Sequence, residues 1–241
     1  MPPLIRLDQV SKSFGALTVI DGLSLALDEG EALGIIGPNG AGKSTMFNLI
    51  TGDLRPEAGR IFFAGSDITG EPAHARCRRG IGRSYQIPHP FGGMTVFENV
   101  LVAAAFGGGR KEAACYAGCL EVLERTRLLP KANLAARQLT LLERKRLELA
   151  RALATGPRVL LLDEIAGGLT ESECQELIQT IKQIHAGGVS IIWIEHVVHA
   201  LLAVVSRLVV VDFGRQLAMG EPRAVMADPA VQEIYMGIEA A

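Results

Sequence analysis

The chain has 241 residues, of which 49% are hydrophobic and 21% charged, and its formal net charge is −2. This length suffices for one large core or two modest ones, and the small net charge argues against nucleic-acid binding. The four cysteines form no C-x-x-C pair and no signal peptide is recognisable. We therefore expect a reducing, cytoplasmic setting, with neither disulfides nor a cysteine-based metal site.

A membrane-spanning segment is not expected. The longest apolar stretch, residues 197–211, is interrupted by His199, Ser206 and Arg207. It therefore falls short of the roughly 20 consecutive apolar residues that a spanning helix needs. If the protein meets a membrane, we expect it to do so through a partner.

The first residues predict an antiparallel β arm. Residues 4–10 and 19–27 alternate apolar and polar side chains, as half-buried strands do. Residues 11–15, between the two, are predicted to form a turn that carries one aromatic residue, Phe14. A further short strand is predicted at residues 60–64.

Residues 37–44 read GPNGAGKS and match the pattern G-x-x-x-x-G-K-[ST]. An apolar run at 32–36 predicts a buried strand before them, and residues 45–50 predict a helix that stops at Gly52. Strand, glycine loop and helix are the context that distinguishes a phosphate-binding loop from a chance match. The alternative is a glycine-rich turn that binds nothing. The predicted nucleotide-binding residues of this segment are Gly37, Pro38, Asn39, Gly40, Ala41, Gly42, Lys43, Ser44 and Thr45.

The chemistry of this loop follows from its residue types. Glycines allow backbone N–H groups to converge on a polyphosphate, and the start of the helix adds a positive dipole end. Lys43 is expected to offer a mobile cation to the β- and γ-phosphates, and Ser44 a hydroxyl ligand for Mg²⁺.

The sequence changes character after Gln86, where helical patterns replace the strands. Thr95 and Thr140 each begin an S/T-x-x-E capping box, which predicts the start of a helix. Helical spacing also extends over residues 111–129. Residues 88–154 are therefore predicted to be all-helical.

Alternation of strands and helices resumes after this region. Strands are predicted at residues 158–162 and 189–194, with a helix at 170–185 between them. A helix through Leu202, two further strands and two short helices complete the predicted chain.

Two acidic residues, Asp163 and Glu164, directly follow an apolar strand. In a parallel sheet ligands gather at the carboxyl ends of strands, so we expect both acids beside the phosphate loop. Asp163 is predicted to hold Mg²⁺, usually through water, and Glu164 to polarise the attacking water as general base. Taken alone, such a pair is equally compatible with a solvated turn.

His196 leaves the next apolar strand in the same manner. A single histidine here is more often a structural residue, but beside a nucleotide it could orient the γ-phosphate. A metal pair formed by His196 and His199 is the less favoured alternative.

The order of these motifs resembles that of the ATP-binding subunits of ABC transporters, over essentially the whole chain. The resemblance implies that Phe14 stacks on adenine and that Gln86 meets Mg²⁺ and the attacking water. It also implies a metal-binding role for Asp163, a catalytic role for Glu164 and a switch role for His196. Without it, Phe14 would be an ordinary core residue.

One segment departs from the family pattern. The signature loop of the family reads L-S-G-G-Q and docks on the γ-phosphate of the partner subunit. The corresponding residues here are Leu139, Thr140, Leu141, Leu142 and Glu143. Bulky side chains hinder a close backbone approach, and a carboxylate adds repulsion. The alternative is a capped helix start without a role in nucleotide binding.

Several segments are similar to those of the branched-chain amino-acid importers within this family. They are residues 83–86, Phe91, 95–100, 194–196 and 234–237. They do not identify a cargo. Four alternatives remain. They are the lipopolysaccharide-export ATPase, a soluble ABC ATPase of cofactor assembly or DNA repair, a regulatory module that holds ATP without hydrolysing it, and a P-loop kinase.

The predicted fold is α/β, a P-loop NTPase of ABC type with an N-terminal antiparallel β arm. Residues 1–241 are assigned to one ABC ATP-binding domain, with its core at 1–87 and 155–241 and a helical subdomain inserted at 88–154. The predicted activity is hydrolysis of ATP with Mg²⁺, coupled to transport. The expected partners are transmembrane permease subunits, a second ATP-binding subunit (identical or different) and, indirectly, a solute-binding protein. The expected location is the inner face of the cell membrane.

Overall fold

The computed structural model describes residues 2–236. The strands are β1 (Ile5–Phe14), β2 (Leu17–Leu27), β3 (Ala32–Ile36), β4 (Ala58–Phe63), β5 (Ser66–Asp67), β6 (Ile81–Ser84), β7 (Val159–Asp163), β8 (Ser190–Ile194), β9 (Arg207–Asp212) and β10 (Arg215–Gly220). The helices are α1 (Lys43–Thr51), α2 (Ala73–Arg79), α3 (Val96–Val102), α4 (Tyr116–Arg125), α5 (Leu141–Ala154), α6 (Glu171–Ala186), α7 (Val198–Leu202), α8 (Pro222–Met226) and α9 (Pro229–Met236).

The chain divides into two compact units. The first unit runs to Ala73 and resumes at Ile192, and the second unit is His74–Ile191. The two short terminal helices predicted from the sequence are confirmed as α8 and α9. Gly237, which ends the segment similar to the importers, lies outside the described residues.

An antiparallel sheet with the strand order β2-β1-β4-β5 forms the β arm of the first unit. The predicted turn at residues 11–15 is wrong, because β1 continues to Phe14 and turns only afterwards. The register shifts between Leu7 and Val10, and Gln9 between them has a φ of 49°. Such a bulge interrupts the alternation of apolar and polar residues, so the sequence pattern stops before the strand does.

The phosphate-loop strand β3 lies against β9 in the first unit. The two strands are parallel, with Ile35 opposite Val209, and β9 pairs antiparallel with β10. All five residues of β3 are buried, as the continuous apolar run predicts for a parallel strand. Helix α1 follows and ends at Gly52, which adopts a left-handed C-cap conformation. The predicted strand, loop and helix are therefore confirmed.

In the second unit, β6 and β7 form a parallel pair with Ser84 opposite Leu162. The sequence pattern predicted β7 but not β6. Strand β6 reads IGRS, without an apolar run or a clean alternation. Its conformation depends on pairing with a neighbour that lies about 80 residues away along the chain, which periodicity cannot reveal.

Helices α3, α4 and α5 pack around a buried apolar cluster in the second unit. Its members include Val96, Val100, Ala104, Cys119, Leu123, Leu147 and Ala150. The capping boxes at Thr95 and Thr140 are both present, so these two helix starts are confirmed. The single helix predicted at 111–129 is instead a 3₁₀ turn, α4 and a second 3₁₀ turn. Arg127, with a φ of 58°, cannot continue a right-handed helix.

Helix α6, with 16 residues, is the longest helix of residues 2–236. Thr170 caps its start through a third capping box. No helix in this part of the chain is long and apolar enough to cross a membrane. The four cysteines are free thiols, and Cys77 is the least buried of them.

Candidate nucleotide-binding and catalytic site

The phosphate loop joins β3 to α1 in the first unit and depends on two glycines. A Cβ atom at Gly37 would lie 2.0 Å from the Val211 carbonyl oxygen. Gly42 caps α1 with a φ of 98°, and a Cβ atom there would lie 2.6 Å from the Val19 oxygen. Only glycine fits both positions, so the backbone can wrap closely around the start of α1.

Lys43 is buried inside this loop. Its Nζ atom donates to the carbonyl oxygens of Gly37, at 2.8 Å, and of Pro38, at 2.9 Å. A buried ammonium group needs such acceptors because its desolvation is costly. The loop therefore holds a cation at its centre, where a phosphate group would be attracted.

The remaining predicted residues of the loop differ in their exposure to solvent. Asn39, Gly40 and Ser44 are exposed, Pro38 and Thr45 are half-buried, and Ala41 is buried. The Ser44 hydroxyl lies in the first turn of α1, at the helix end that favours anions. This loop can accordingly bind a polyphosphate through amides and Lys43, and offer a hydroxyl to a metal ion.

Phe14 lies at the end of β1 and is 49% exposed. The alternative interpretation, that it is a core residue, is therefore wrong. The Nζ atom of Lys12 lies 5.4 Å from the ring centroid, within the range of a cation–π contact. The exposed ring is free to offer a flat apolar face to a base.

Phe14→Ala is expected to weaken the binding of ATP and GTP alike by about 1–3 kcal/mol, since stacking contacts a ring face and not a base edge. Equilibrium titration with both nucleotides measures this. Phe106→Ala serves as the matched control, because Phe106 is an exposed phenylalanine of the second unit. An unchanged dissociation constant for Phe14→Ala would contradict a stacking role.

Gln86 and Glu164 are brought together by the parallel register of β6 and β7 in the second unit. Ser84 lies opposite Leu162. Gln86 and Glu164 each lie two residues beyond one member of this pair, so they emerge side by side. The Nε2 atom of Gln86 donates to Oε2 of Glu164 at 2.5 Å. Both residues named by the family resemblance as neighbours of the attacking water therefore share one hydrogen bond.

Asp163 is the last residue of β7 and pairs with Arg83. Its Oδ2 atom accepts from Nη2 of Arg83 at 2.8 Å, and both side chains are buried. The guanidinium charge offsets the cost of burying the carboxylate. The sequence analysis assigned no role to Arg83. A sequence signal for this role would be a basic residue on the strand that pairs with the strand carrying Asp163. Only the structure identifies that pairing.

Glu164 adopts a φ of 47°. This left-handed conformation is uncommon for a residue other than glycine, and costs on the order of 1–3 kcal/mol. Such strain clusters at functional sites. The conformation aims the side chain toward Gln86 directly after a fully buried strand, which fits a placed catalytic group better than a solvated turn.

His196 follows β8 and belongs to the first unit. Its side chain is exposed, whereas the preceding Glu195 is buried. The backbone N–H of His196 donates to the Glu195 carboxylate at 2.9 Å. This contact holds the backbone at the end of the strand and leaves the imidazole directed outward.

The degenerate signature loop forms the capped start of α5. Thr140 and Glu143 exchange reciprocal hydrogen bonds, and Glu143 also pairs with Lys131. Burial raises the pKa of Glu143, but the hydrogen bonds from Lys131 and Thr140 outweigh it and lower the pKa below its usual value. The carboxylate is therefore ionised and held against its own helix.

The two leucines of this loop differ in position. Leu142 is only 7% exposed and, like Leu139, packs inside, whereas Leu141 is 43% exposed. The expected steric obstruction by both leucines is therefore limited to Leu141. The surface that the loop offers consists of Leu141, Thr140 and the half-buried Glu143 with its paired carboxylate.

A glycine loop between a buried parallel strand and a helix, with a lysine at its centre, defines a P-loop nucleotide-binding protein. A family model described as ABC transporter matches residues 20–167. The high-affinity branched-chain amino acid transport ATP-binding protein BraF of Pseudomonas aeruginosa is 34% identical over 98% of both chains. The corresponding protein LivG of Salmonella typhimurium is 36% identical over 98% of both. The lipopolysaccharide export system ATP-binding protein LptB of Acidithiobacillus ferridurans is 32% identical over 98% of both.

Solved structures give the same assignment. The ADP conformation of MJ1267, an ATP-binding cassette of an ABC transporter, matches with a TM-score of 0.90 at 30% identity, over 99% of this chain and 100% of that one. A nucleotide-free ATP-binding cassette from an ABC transporter matches with a TM-score of 0.89 at 29% identity. The match covers 98% of this chain and 100% of that one. The chain belongs to the ABC transporter family of ATP-binding proteins. It is an ATP-binding and ATP-hydrolysing subunit that powers a membrane transporter, and the predicted P-loop NTPase fold of ABC type is confirmed.

Proposed function

We propose that this chain hydrolyses ATP to drive the import of branched-chain amino acids or related small solutes through a permease. The observation that carries this proposal is the similarity to BraF and LivG over 98% of both chains. Within the ATP-binding domain, residues 88–154 would form a helical subdomain inserted in the α/β core. The similarity to LptB favours lipopolysaccharide export as the second candidate.

Nucleotide binding is assigned to the phosphate loop. The loop amides and Lys43 hold the phosphates, and Thr45 extends the contacts into the first turn of α1. Mg²⁺, when bound, neutralises phosphate charge. Its proposed ligands are Ser44, Gln86 and Asp163, whose oxygen atoms are of the type that Mg²⁺ prefers.

Hydrolysis is assigned to Glu164, Gln86 and His196. Glu164 accepts the proton of the attacking water, and its hydrogen bond with Gln86 fixes the orientation of the carboxylate. His196 presents an exposed imidazole that can donate to the γ-phosphate. In such phosphoryl transfers, positioning and charge stabilisation supply most of the rate.

The permease is proposed to contact the segment that follows Gln86. Ile87, Phe91 and Met94 are exposed apolar side chains within eight residues of chain, and exposed apolar side chains grouped on one surface favour an interaction site. The Arg151 guanidinium lies 5.3 Å from the centroid of the Phe91 ring, within the range of a cation–π contact. This contact would place the chain at the inner face of the membrane, with a solute-binding protein reaching it only indirectly.

The test is reconstitution with the permease and solute-binding protein that co-purify with this chain from its native source. Proteoliposomes should show ATP hydrolysis that rises several-fold on addition of leucine, isoleucine or valine bound to its binding protein. Glycine is the matched solute without a branched side chain. Stimulation by lipopolysaccharide, without a response to the amino acids, would support the second candidate and refute the first.

A further inference from the structure

The hairpin between β9 and β10 contains an unfavourable residue at its tip. Its two loop residues, Phe213 and Gly214, have φ values of 44° and 74°. Two-residue turns with both φ values positive strongly favour Asn-Gly, Asp-Gly or Gly-Gly. A phenylalanine in this position is strained, and Phe213 is 84% exposed. Neither turn chemistry nor burial in this chain explains the aromatic side chain.

Backbone hydrogen bonds hold this hairpin tip against the phosphate loop. The N–H of Gly214 donates to the Ala41 carbonyl oxygen at 3.0 Å, and the N–H of Asp21 donates to the Gly214 carbonyl oxygen at 3.0 Å. A Cβ atom at Gly214 would lie 2.2 Å from the Val19 oxygen. The glycine permits this close approach, so the position of Phe213 relative to the loop is fixed.

Phe213 also lines a cavity of about 320 Å³ beside the phosphate loop. Leu17 and Val19 form part of the same lining, together with residues 38–41 of the phosphate loop and Asp212. Its volume is within the range of small-molecule pockets. The cavity thus has phosphate-loop residues along one part of its lining and the exposed apolar residues Leu17 and Phe213 along another. This arrangement matches a ligand whose phosphates bind the loop and whose other end is flat and apolar.

We propose that Phe213 is a binding residue for the nucleoside part of the nucleotide. It would cover the base and ribose while the phosphates lie on the loop. The inference rests on the proposed nucleotide-binding role of that loop. Aromatic rings contact bases through their faces, and Leu17, the register partner of Phe14, extends the same apolar lining. Phe213, in the hairpin of β9 and β10, would therefore add to the contact assigned to Phe14 in the hairpin of β1 and β2.

Phe213→Asn tests this role, because it creates the Asn-Gly pair that the turn favours. The variant should fold at least as stably as the unmodified chain, with an equal or higher midpoint of thermal unfolding. Its dissociation constant for ATP should nevertheless rise by about fivefold or more, as for the loss of a base-stacking contact. Its dissociation constant for inorganic tripolyphosphate should change less than about twofold, since that ligand has no base.

Phe106→Asn is the matched control, since Phe106 is an exposed phenylalanine of the second unit, and it should leave both constants unchanged. An unchanged ATP constant in Phe213→Asn would overturn the inference. Equal losses for ATP and tripolyphosphate would overturn it too, because the loop itself would then be disturbed. If the unmodified chain bound tripolyphosphate but not ATP, the proposed nucleotide site would fail instead.

Discussion

Glu164→Gln is expected to bind ATP with unchanged affinity and to lose turnover by about 10²–10⁴-fold, the usual contribution of a general base. Glutamine has the same size, and its carbonyl oxygen can still accept the hydrogen bond from Gln86 Nε2. The left-handed backbone and the local packing should therefore persist. The amide cannot accept a proton from water, so only the chemical step is affected. Equilibrium ATP binding and steady-state phosphate release measure the two effects separately.

Lys43→Ala is the comparison variant for this experiment. It removes the cation that the Gly37 and Pro38 carbonyls hold inside the loop, so ATP binding itself should fail. Glu124→Gln, at an exposed glutamate of α4, should alter neither binding nor turnover. Equal loss of binding in the Lys43 and Glu164 variants would contradict the separate roles assigned to them.

The isolated chain is expected to be a weak ATPase, and Leu141→Gly combined with Glu143→Gln should raise its turnover by about tenfold or more, in line with the worth of a placed donor. If each loop serves the nucleotide of the partner, as the family resemblance implies, both sites of a homodimer would contain the degenerate loop. The change at Leu141 removes the exposed bulk. The change at Glu143 keeps the capping box that starts α5, because glutamine also serves there, and it removes the negative charge.

Leu142 is left unchanged in this variant because it is buried. Truncating a buried leucine costs about 2–5 kcal/mol, which would confuse activity with stability. Glu98→Gln, in the equivalent capping box of α3, is the matched control and should not change turnover. The measurement is phosphate release at saturating ATP and equal dimer concentration.

This second prediction bears on the choice of partner. We propose, from the altered loop, that the natural partner is a different ATP-binding subunit with an intact signature loop, and weak turnover by the isolated chain that rises in the restored variant would support this. ATP on the phosphate loop of this chain would then be hydrolysed efficiently, and ATP on the partner slowly. Rapid turnover by the unmodified chain alone would refute this asymmetric arrangement.

Local interactions explain what the sequence by itself determined. The phosphate loop needs residues within one strand–loop–helix segment, and the capping boxes at Thr95 and Thr140 need partners only three residues away. Apolar runs such as β3 and β7 are buried on both faces, so their composition alone predicts them. These features gave the fold class and most of the candidate site residues.

Contacts between distant residues were decided only by the tertiary structure. The bond between Gln86 and Glu164 spans 78 residues and the pair of Arg83 and Asp163 spans 80. Both depend on the register of β6, a strand without a sequence signal of its own. Three further features also depend on the tertiary structure. They are the bulge at Gln9 within β1, the burial of Leu142 and the exposure of Phe213. The periodicity of apolar residues shows which residues share one face of a helix or strand. Which other element covers that face depends on how the whole chain packs.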